Sequence, residues 1–334
     1  MDVGRARLYA LLALGLALAG CAGTAPLPSA VTDTPANSPP KFADVGGAQV
    51  ALATFKTSAF PYHGMALNSE HPEKEKPFID VNDNGRLAHN SPRGGTLYED
   101  TTYSDKRVLL AASVSFDPRR GGAIVVFFHG NQATLARDVV ERQQVVRQLS
   151  DSALNGVLVA PQLAVDALDS SAGNFWTPGV FAQFLDEADA KLADLYPGTS
   201  RATFRRMPVY VVAYSGGYLP AAYSLAVGGA GGRVRGVILL DALYGEADKW
   251  EQWVEDSRGH AFFVSAYSLS SHDGNIDLKT KLAADGVPAV DALPESLRPG
   301  VVAFIDAGDV LHEDFVNSAW TADPLKDIFS RIAR

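Results

Sequence analysis

The sequence holds one cysteine, Cys21, in 334 residues. A lone thiol cannot build a disulfide framework or a cysteine-rich metal site. No His-x-x-x-His pair suggests a catalytic zinc, and no Gly-x-Gly-x-x-Gly suggests a bound nucleotide. Neither a metal nor a cofactor is therefore expected. Positive charge is also short: 29 Lys and Arg face 38 Asp and Glu, a net charge of −9. Such a chain is a poor partner for nucleic acid, and an anionic membrane surface would not attract it. What the chain does have is apolar residues, 47% of the total, enough for a sizeable core.

Arg5 and Arg7 precede an apolar run, Leu8 to Ala17, too short and too rich in alanine to cross a bilayer comfortably. It has the form of a signal peptide over residues 1–20. It ends in Leu18-Ala19-Gly20-Cys21, which resembles the lipobox of bacterial lipoproteins. That resemblance implies cleavage before Cys21, lipidation of its thiol, and a domain that faces the periplasm or exterior from a membrane, the outer one in particular, since Ala22 carries no charge. Residues 21–44 are rich in Pro, Ala, Ser and Thr and read as a flexible tether. Residues 45–334 suit one large domain of alternating strands and helices.

Residues 45–107 are the least regular part. Asp80-Val81-Asn82-Asp83-Asn84-Gly85 opens like a calcium loop, but the twelfth position is Ser91 where a bidentate glutamate is needed, so it reads as a turn. Beyond it, strands are expected at Arg107–Val114, Ala123–Phe128, Gly156–Gln162, Val209–Ala213, Val234–Leu240, Ala261–Tyr267 and Val301–Gly308. Several are apolar on both faces, as central parallel strands should be. Helices are expected from Thr134 through Leu149, from Val180 to Tyr196, over Tyr218–Ala226, and from about Pro324. Alternating strands and helices imply a mostly parallel sheet covered on both faces, with ligands at the carboxyl ends of the strands.

The chain is organised around Ala213-Tyr214-Ser215-Gly216-Gly217, where a strand runs through a sharp turn into a helix. Small residues on either side let strand and helix pass closely, and the serine hydroxyl stands clear at the tip. Another strand ends in His129-Gly130-Asn131, where His129 is expected to brace its own loop. Asp241 follows a strand directly; His312 follows the last one. Ser170 and Ser171 are weaker nucleophiles, because no strand feeds them. Asp169–Gly179 carries Phe175 and Trp176 in a loop expected to border a pocket, with both rings exposed.

These segments resemble the α/β-hydrolase family from about residue 105 onward, including a group of bacterial lipoproteins of unassigned substrate that share an Asp-Ser-Ser-x-Gly-x-Phe-Trp segment. Ala213 stands where the family's first elbow glycine usually is. The resemblance implies the fold of that name and a serine hydrolase of small ester, thioester or amide substrates. Ser215 would be the nucleophile, His312 the base, and the N–H groups of Asn131 and Gly216 the oxyanion hole. The acid is Asp241 or Asp273. Asp273 has the commoner family position but lies in a Ser-, Asn- and Gly-rich stretch read as a solvated loop. Asp241 is preferred, because a charge that ends an apolar strand needs a partner. The alternative is a non-catalytic lipoprotein that uses the same fold as a binding or scaffolding module.

Overall fold

The structure, a computed structural model, describes residues 43–45, 48–68 and 71–332. The expected signal segment 1–20, Cys21 and the expected tether up to residue 42 lie outside the described residues, whereas Ala43 and Asp44, expected at the end of that tether, belong to a strand, Ala43–Val45. Among the described residues no helix is long and apolar enough to cross a membrane.

Nine strands form the central sheet: β1 (Ala43–Val45), β2 (Ala48–Thr54), β3 (Arg107–Ala112), β4 (Ala123–Phe128), β5 (Gly156–Pro161), β6 (Val209–Tyr214), β7 (Val234–Leu240), β8 (Phe262–Tyr267) and β9 (Val302–Asp306). Their spatial order is β1-β2-β3-β5-β4-β6-β7-β8-β9. β1 with β2, β2 with β3, and β3 with β5 pair antiparallel; every later pair is parallel. An antiparallel start followed by a parallel sheet with one crossed pair, β5 before β4, is the α/β-hydrolase fold.

Side chains of one strand alternate between two cores. Val209, Val211 and Ala213 of β6 face one, with Phe181, Phe184, Trp250 and Leu278. Tyr210, Val212 and Tyr214 face the other, with Val145, Leu149, Ile328 and Phe329. The helices Val180–Leu195, Tyr218–Ala226, Ala247–Ser257 and His272–Ala284 thus cover the first face, and Val145–Ser150 and Pro324–Arg331 the second. All six residues of β6 are buried, so the strand that delivers Ser215 lies at the centre of the sheet.

Three local expectations change. β3 ends at Ala112, two residues early, and Val114 is 65% exposed. The helix after Thr134 is two pieces: a π-helical segment at Leu135–Arg142, then Val145–Ser150, with Gln144 left-handed at φ +52 between them. Asp138 pins the first piece, since its buried carboxylate takes the Thr134 N–H at 2.8 Å and the guanidinium groups of Arg137 and Arg142. Residues from His272 are a helix, not a loop. The Asn- and Asp-rich segment is a turn as expected. It joins strands Val81–Asp83 and Arg86–Asn90 through Asn84 and Gly85, both at positive φ.

Candidate active site

Ser215 follows β6 directly at φ +52, a left-handed conformation that is costly for a residue with a Cβ. Gly216 and Gly217 complete the turn, and the helix Tyr218–Ala226 begins at once. Gly217 has no room for a side chain, because a Cβ there would meet the carbonyl oxygens of Phe128 and His129. Gly130, at the end of β4, abuts the serine: its Cβ would stand 2.8 Å from that of Ser215. Two strand ends therefore converge so tightly that only glycine fits between them.

His312 stands in the turn after β9, with its Nε2 2.7 Å from Ser215 Oγ. Its Nδ1 lies 2.6 Å from Asp241 Oδ2. The carboxylate accepts from Nδ1–H, which leaves Nε2 to accept the serine proton. Tyr214 fixes the ring from one side, stacked at 5.1 Å and 20°, and its phenol donates to the His312 carbonyl at 2.8 Å.

Asp241 is fully buried at the end of β7, also at positive φ (+44). Its Oδ1 accepts the Ser268 N–H at 3.0 Å and the Ser271 hydroxyl at 2.5 Å. Its Oδ2 accepts the hydroxyls of Ser268 (2.8 Å) and Ser270 (2.7 Å) in addition to His312. Burial pushes this carboxyl up, but the bonds from His312, Ser270, Ser271 and the Ser268 N–H together outweigh it and hold the group well below the usual carboxylate range. Ser270 also takes a 2.7 Å bond from the Tyr244 phenol, which lies 3.3 Å from His312 Nδ1. The alternative acid, Asp273, is elsewhere. It occupies the first turn of the helix His272–Ala284, its side chain fully exposed and 3.0 Å from His272 Nδ1, and it does not reach His312. A carboxylate in a first helical turn is stabilised by the helix dipole.

Asn131 and Gly216 flank the serine from the two converging turns. Gly216 lies in the first turn of its helix, where N–H groups have no intrahelical acceptor. A side chain on Gly216 would collide with the Asn131 amide and the Ser170 hydroxyl, and Ser170 Oγ donates to Asn131 Oδ1 at 3.2 Å. Ser170 is thus no rival nucleophile but a neighbour that holds Asn131.

His129 is fully buried. Its Nδ1 donates to the Gly130 carbonyl at 2.7 Å, and its Nε2 accepts the Leu163 N–H at 2.9 Å, so it braces the loop as expected. Burial pushes its pKa down to about 4, against the Gly130 hydrogen bond, which raises it.

Ser215 and His312 line a cleft of about 790 Å³ that also holds Arg93 and Asn131. Arg93 is shared with a second cavity of about 630 Å³, walled by Ser170, Trp176, Leu219 and Tyr244. The segment from Asp169 does border this cavity, but its aromatics are not exposed. Phe175 is fully buried and Trp176 is 4% exposed, packed among Tyr62, Phe78 and Tyr223. Sequence reasoning missed Tyr244, Arg93 and the three serines around Asp241. The one available signal was the run Ser268-Leu269-Ser270-Ser271 just after a strand. Among the described residues, no three of His, Cys, Asp and Glu stand together as a metal site.

The fold and this Ser215–His312–Asp241 chain define the class: an α/β-hydrolase fold carrying a hydrogen-bonded serine, histidine and aspartate at the carboxyl ends of its strands. No family model and no curated protein matches the sequence. Solved structures similar to it include a feruloyl esterase module from Clostridium thermocellum, at 14% identity over 83% of this chain and 97% of that one, TM-score 0.45. An S-formylglutathione hydrolase from Agrobacterium tumefaciens is 11% identical over 87% and 98%, TM-score 0.44. A cold-adapted esterase from an Arctic intertidal metagenomic library is 10% identical over 87% and 97%, TM-score 0.44. Likeness this distant says nothing of this chain's substrate.

Proposed function

We propose that the protein is a serine hydrolase of carboxylic esters, with thioesters and amides as related substrates. The observation that carries the reading is the unbroken chain from Ser215 Oγ through His312 to Asp241, with both links under 2.8 Å. In this reading Ser215 attacks the substrate carbonyl carbon as His312 Nε2 takes its proton. The N–H groups of Asn131 and Gly216 receive the negative charge that forms on the carbonyl oxygen, and a donor of this kind is worth about 3 kcal/mol. His312 then protonates the departing alcohol. A water molecule, deprotonated by the same imidazole, attacks the acyl-serine and restores the enzyme. Asp241 holds the imidazole in the required tautomer and stabilises its charged form.

Fluorophosphonate labelling tests this reading. Wild type is expected to become covalently modified and Ser215→Ala to stay unmodified. A wild-type protein that resists the probe and hydrolyses no short-chain ester would leave the binding-module alternative.

Membrane attachment through Cys21, after removal of residues 1–20, belongs to the same proposal and rests on Leu18-Ala19-Gly20-Cys21 alone. Cys21→Ser should abolish incorporation of labelled palmitate and shift the protein to the soluble fraction. An unchanged membrane fraction overturns it.

A further inference from the structure

We propose that the 630 Å³ cavity beside Ser215 receives a carboxylate-bearing half of the substrate, held by Arg93 with Lys74. The step takes its chemistry from the hydrolase reading above, but the binding itself can be measured without turnover.

The inference comes from the charges around the cavity. Five charged side chains line it: Lys74, Lys76, Arg93, Asp169 and Glu246. Lys76 is paired with Asp80, and Glu246 with Lys249 at 2.7 Å. Asp169 is 6% exposed and engaged by the Tyr103 phenol at 2.7 Å and the Ser171 hydroxyl at 2.9 Å. Lys74 and Arg93 remain, and no carboxylate among the described residues stands within ion-pair distance of either.

The backbone that carries Arg93 is also held in place, and its side chain is exposed. Its turn is closed by Ser91 N–H to the Gly95 carbonyl at 3.1 Å and Gly94 N–H to the Ser91 carbonyl at 2.9 Å. The Ser91 hydroxyl ties the turn to the Leu168 carbonyl at 3.2 Å, next to Asp169 and Ser170. Arg93 therefore lines both the cavity and the cleft that contains Ser215. A guanidinium fork matches one carboxylate in a bidentate pair, which a point charge cannot do.

The neighbouring cleft is lined by balanced charge. Apart from Arg93 on the shared wall, its cations Arg137 and Arg142 are both engaged by Asp138, while Glu313 and Asp314 have no cation partner among the described residues. An anionic group finds a second cation, Lys74, only on the cavity side. This orients the ester: the carboxylate-bearing part lies by Arg93, with its apolar stem along Trp176, Leu219 and Tyr244, and the uncharged part leaves past His312.

The test uses the intact protein in two measurements. The first is calorimetric titration with glutarate, which needs no catalysis. Wild type should bind it, binding should weaken as salt is raised, and Arg93→Gln should weaken it about tenfold, the loss expected for a hydrogen-bonded ion pair. The second compares a glutarate monoester with the corresponding butyrate ester. Wild type should favour the first, and Arg93→Gln should cut the ratio of the two kcat/KM values about tenfold, mainly through KM. Lys74→Gln should act in the same direction, more weakly. Hydrolysis of both esters at equal efficiency, with no change in their ratio in Arg93→Gln, overturns the inference and leaves the hydrolase reading standing. Glutarate binding abolished by Arg93→Gln, in a protein that hydrolyses neither ester, supports the anion site and overturns the hydrolase reading.

Discussion

His312 Nδ1 and Asp241 Oδ2 lie 2.6 Å apart although 71 residues separate them in the chain. The contact exists because β7 and β9 end on the same edge of the sheet with only β8 between them, and the turns after both fold back over that edge. Loss of the Asp241 charge removes the acceptor that fixes the histidine tautomer. Asp241→Asn is expected to lower kcat by roughly four powers of ten on a soluble ester. Asp273→Asn, in an exposed first helical turn, should change kcat less than twofold. The reverse ranking would overturn the choice of acid.

The serines around Asp241 lead to a subtler expectation. Ser270 donates to Asp241 and accepts from Tyr244, so it links the cavity wall to the carboxylate. Ser270→Ala removes one donor from the anion, and the remaining bonds from Ser268, Ser271 and His312 still hold the carboxylate. A lost bond of this kind is worth about 1 kcal/mol, so kcat on a soluble ester should fall about fivefold. Tyr244→Phe should act in the same direction by less. Rates equal to wild type in both variants would show that the serines only pack.

Much of this arrangement was legible in the residues. Val209 to Tyr214 announces a central strand because both of its faces are apolar, and Ser215 with Gly217 announces the turn. Asp241 could be preferred to Asp273 because a charge that ends Val237-Ile238-Leu239-Leu240 has no water to face. Other features depend on contacts across long distances in the chain. The three hydroxyls on Asp241 converge only after the turn at Leu269–Ser271 forms, and nothing local says where those serines point. Trp176 looked exposed because its partners, Tyr62 and Phe78, come from the irregular N-terminal region about a hundred residues earlier. The break at Gln143–Gln144 was hidden by an apolar pattern that a continuous helix would also satisfy.

The burial of Trp176 changes what its removal should do. As an exposed pocket residue it would chiefly alter substrate preference. Packed at 4% exposure among three rings, it supports the junction between the N-terminal segment and the domain. Trp176→Ala should cost roughly 3–5 kcal/mol of unfolding free energy. Chemical denaturation measures this directly, and a loss below about 1 kcal/mol would contradict the packing described.

Gly217 offers a second test of close approach. Its absent Cβ makes room for the Phe128 and His129 carbonyls, which belong to a strand end that cannot move without shifting Gly130 and Ser215. Gly217→Ala should destabilise the fold by roughly 1–3 kcal/mol and lower kcat in the protein that still folds. Gly232→Ala, where a Cβ meets nothing within 4 Å, serves as the control and should change neither quantity appreciably.

His129 makes stability depend on pH. Burial lowers its pKa to about 4 in the folded protein, against about 6.5 in the unfolded chain. Between these values the unfolded state binds a proton that the folded state does not, so stability rises with pH across this window. In the other direction, the contribution is fully present above about pH 6.5 and is lost as pH falls toward 4. The loss is about 3 kcal/mol over the whole interval. Asp241 acts in the same direction but lower: its depressed native pKa contributes stability that is present above the ordinary carboxylate range and lost in stronger acid. The two are separable, because the His129 window lies above that of Asp241. Urea unfolding at half-unit steps across the His129 window should show wild type losing stability as pH falls. His129→Asn, less stable throughout, should show a much flatter profile there. Equal slopes in the two proteins would mean that the buried imidazole is not the source.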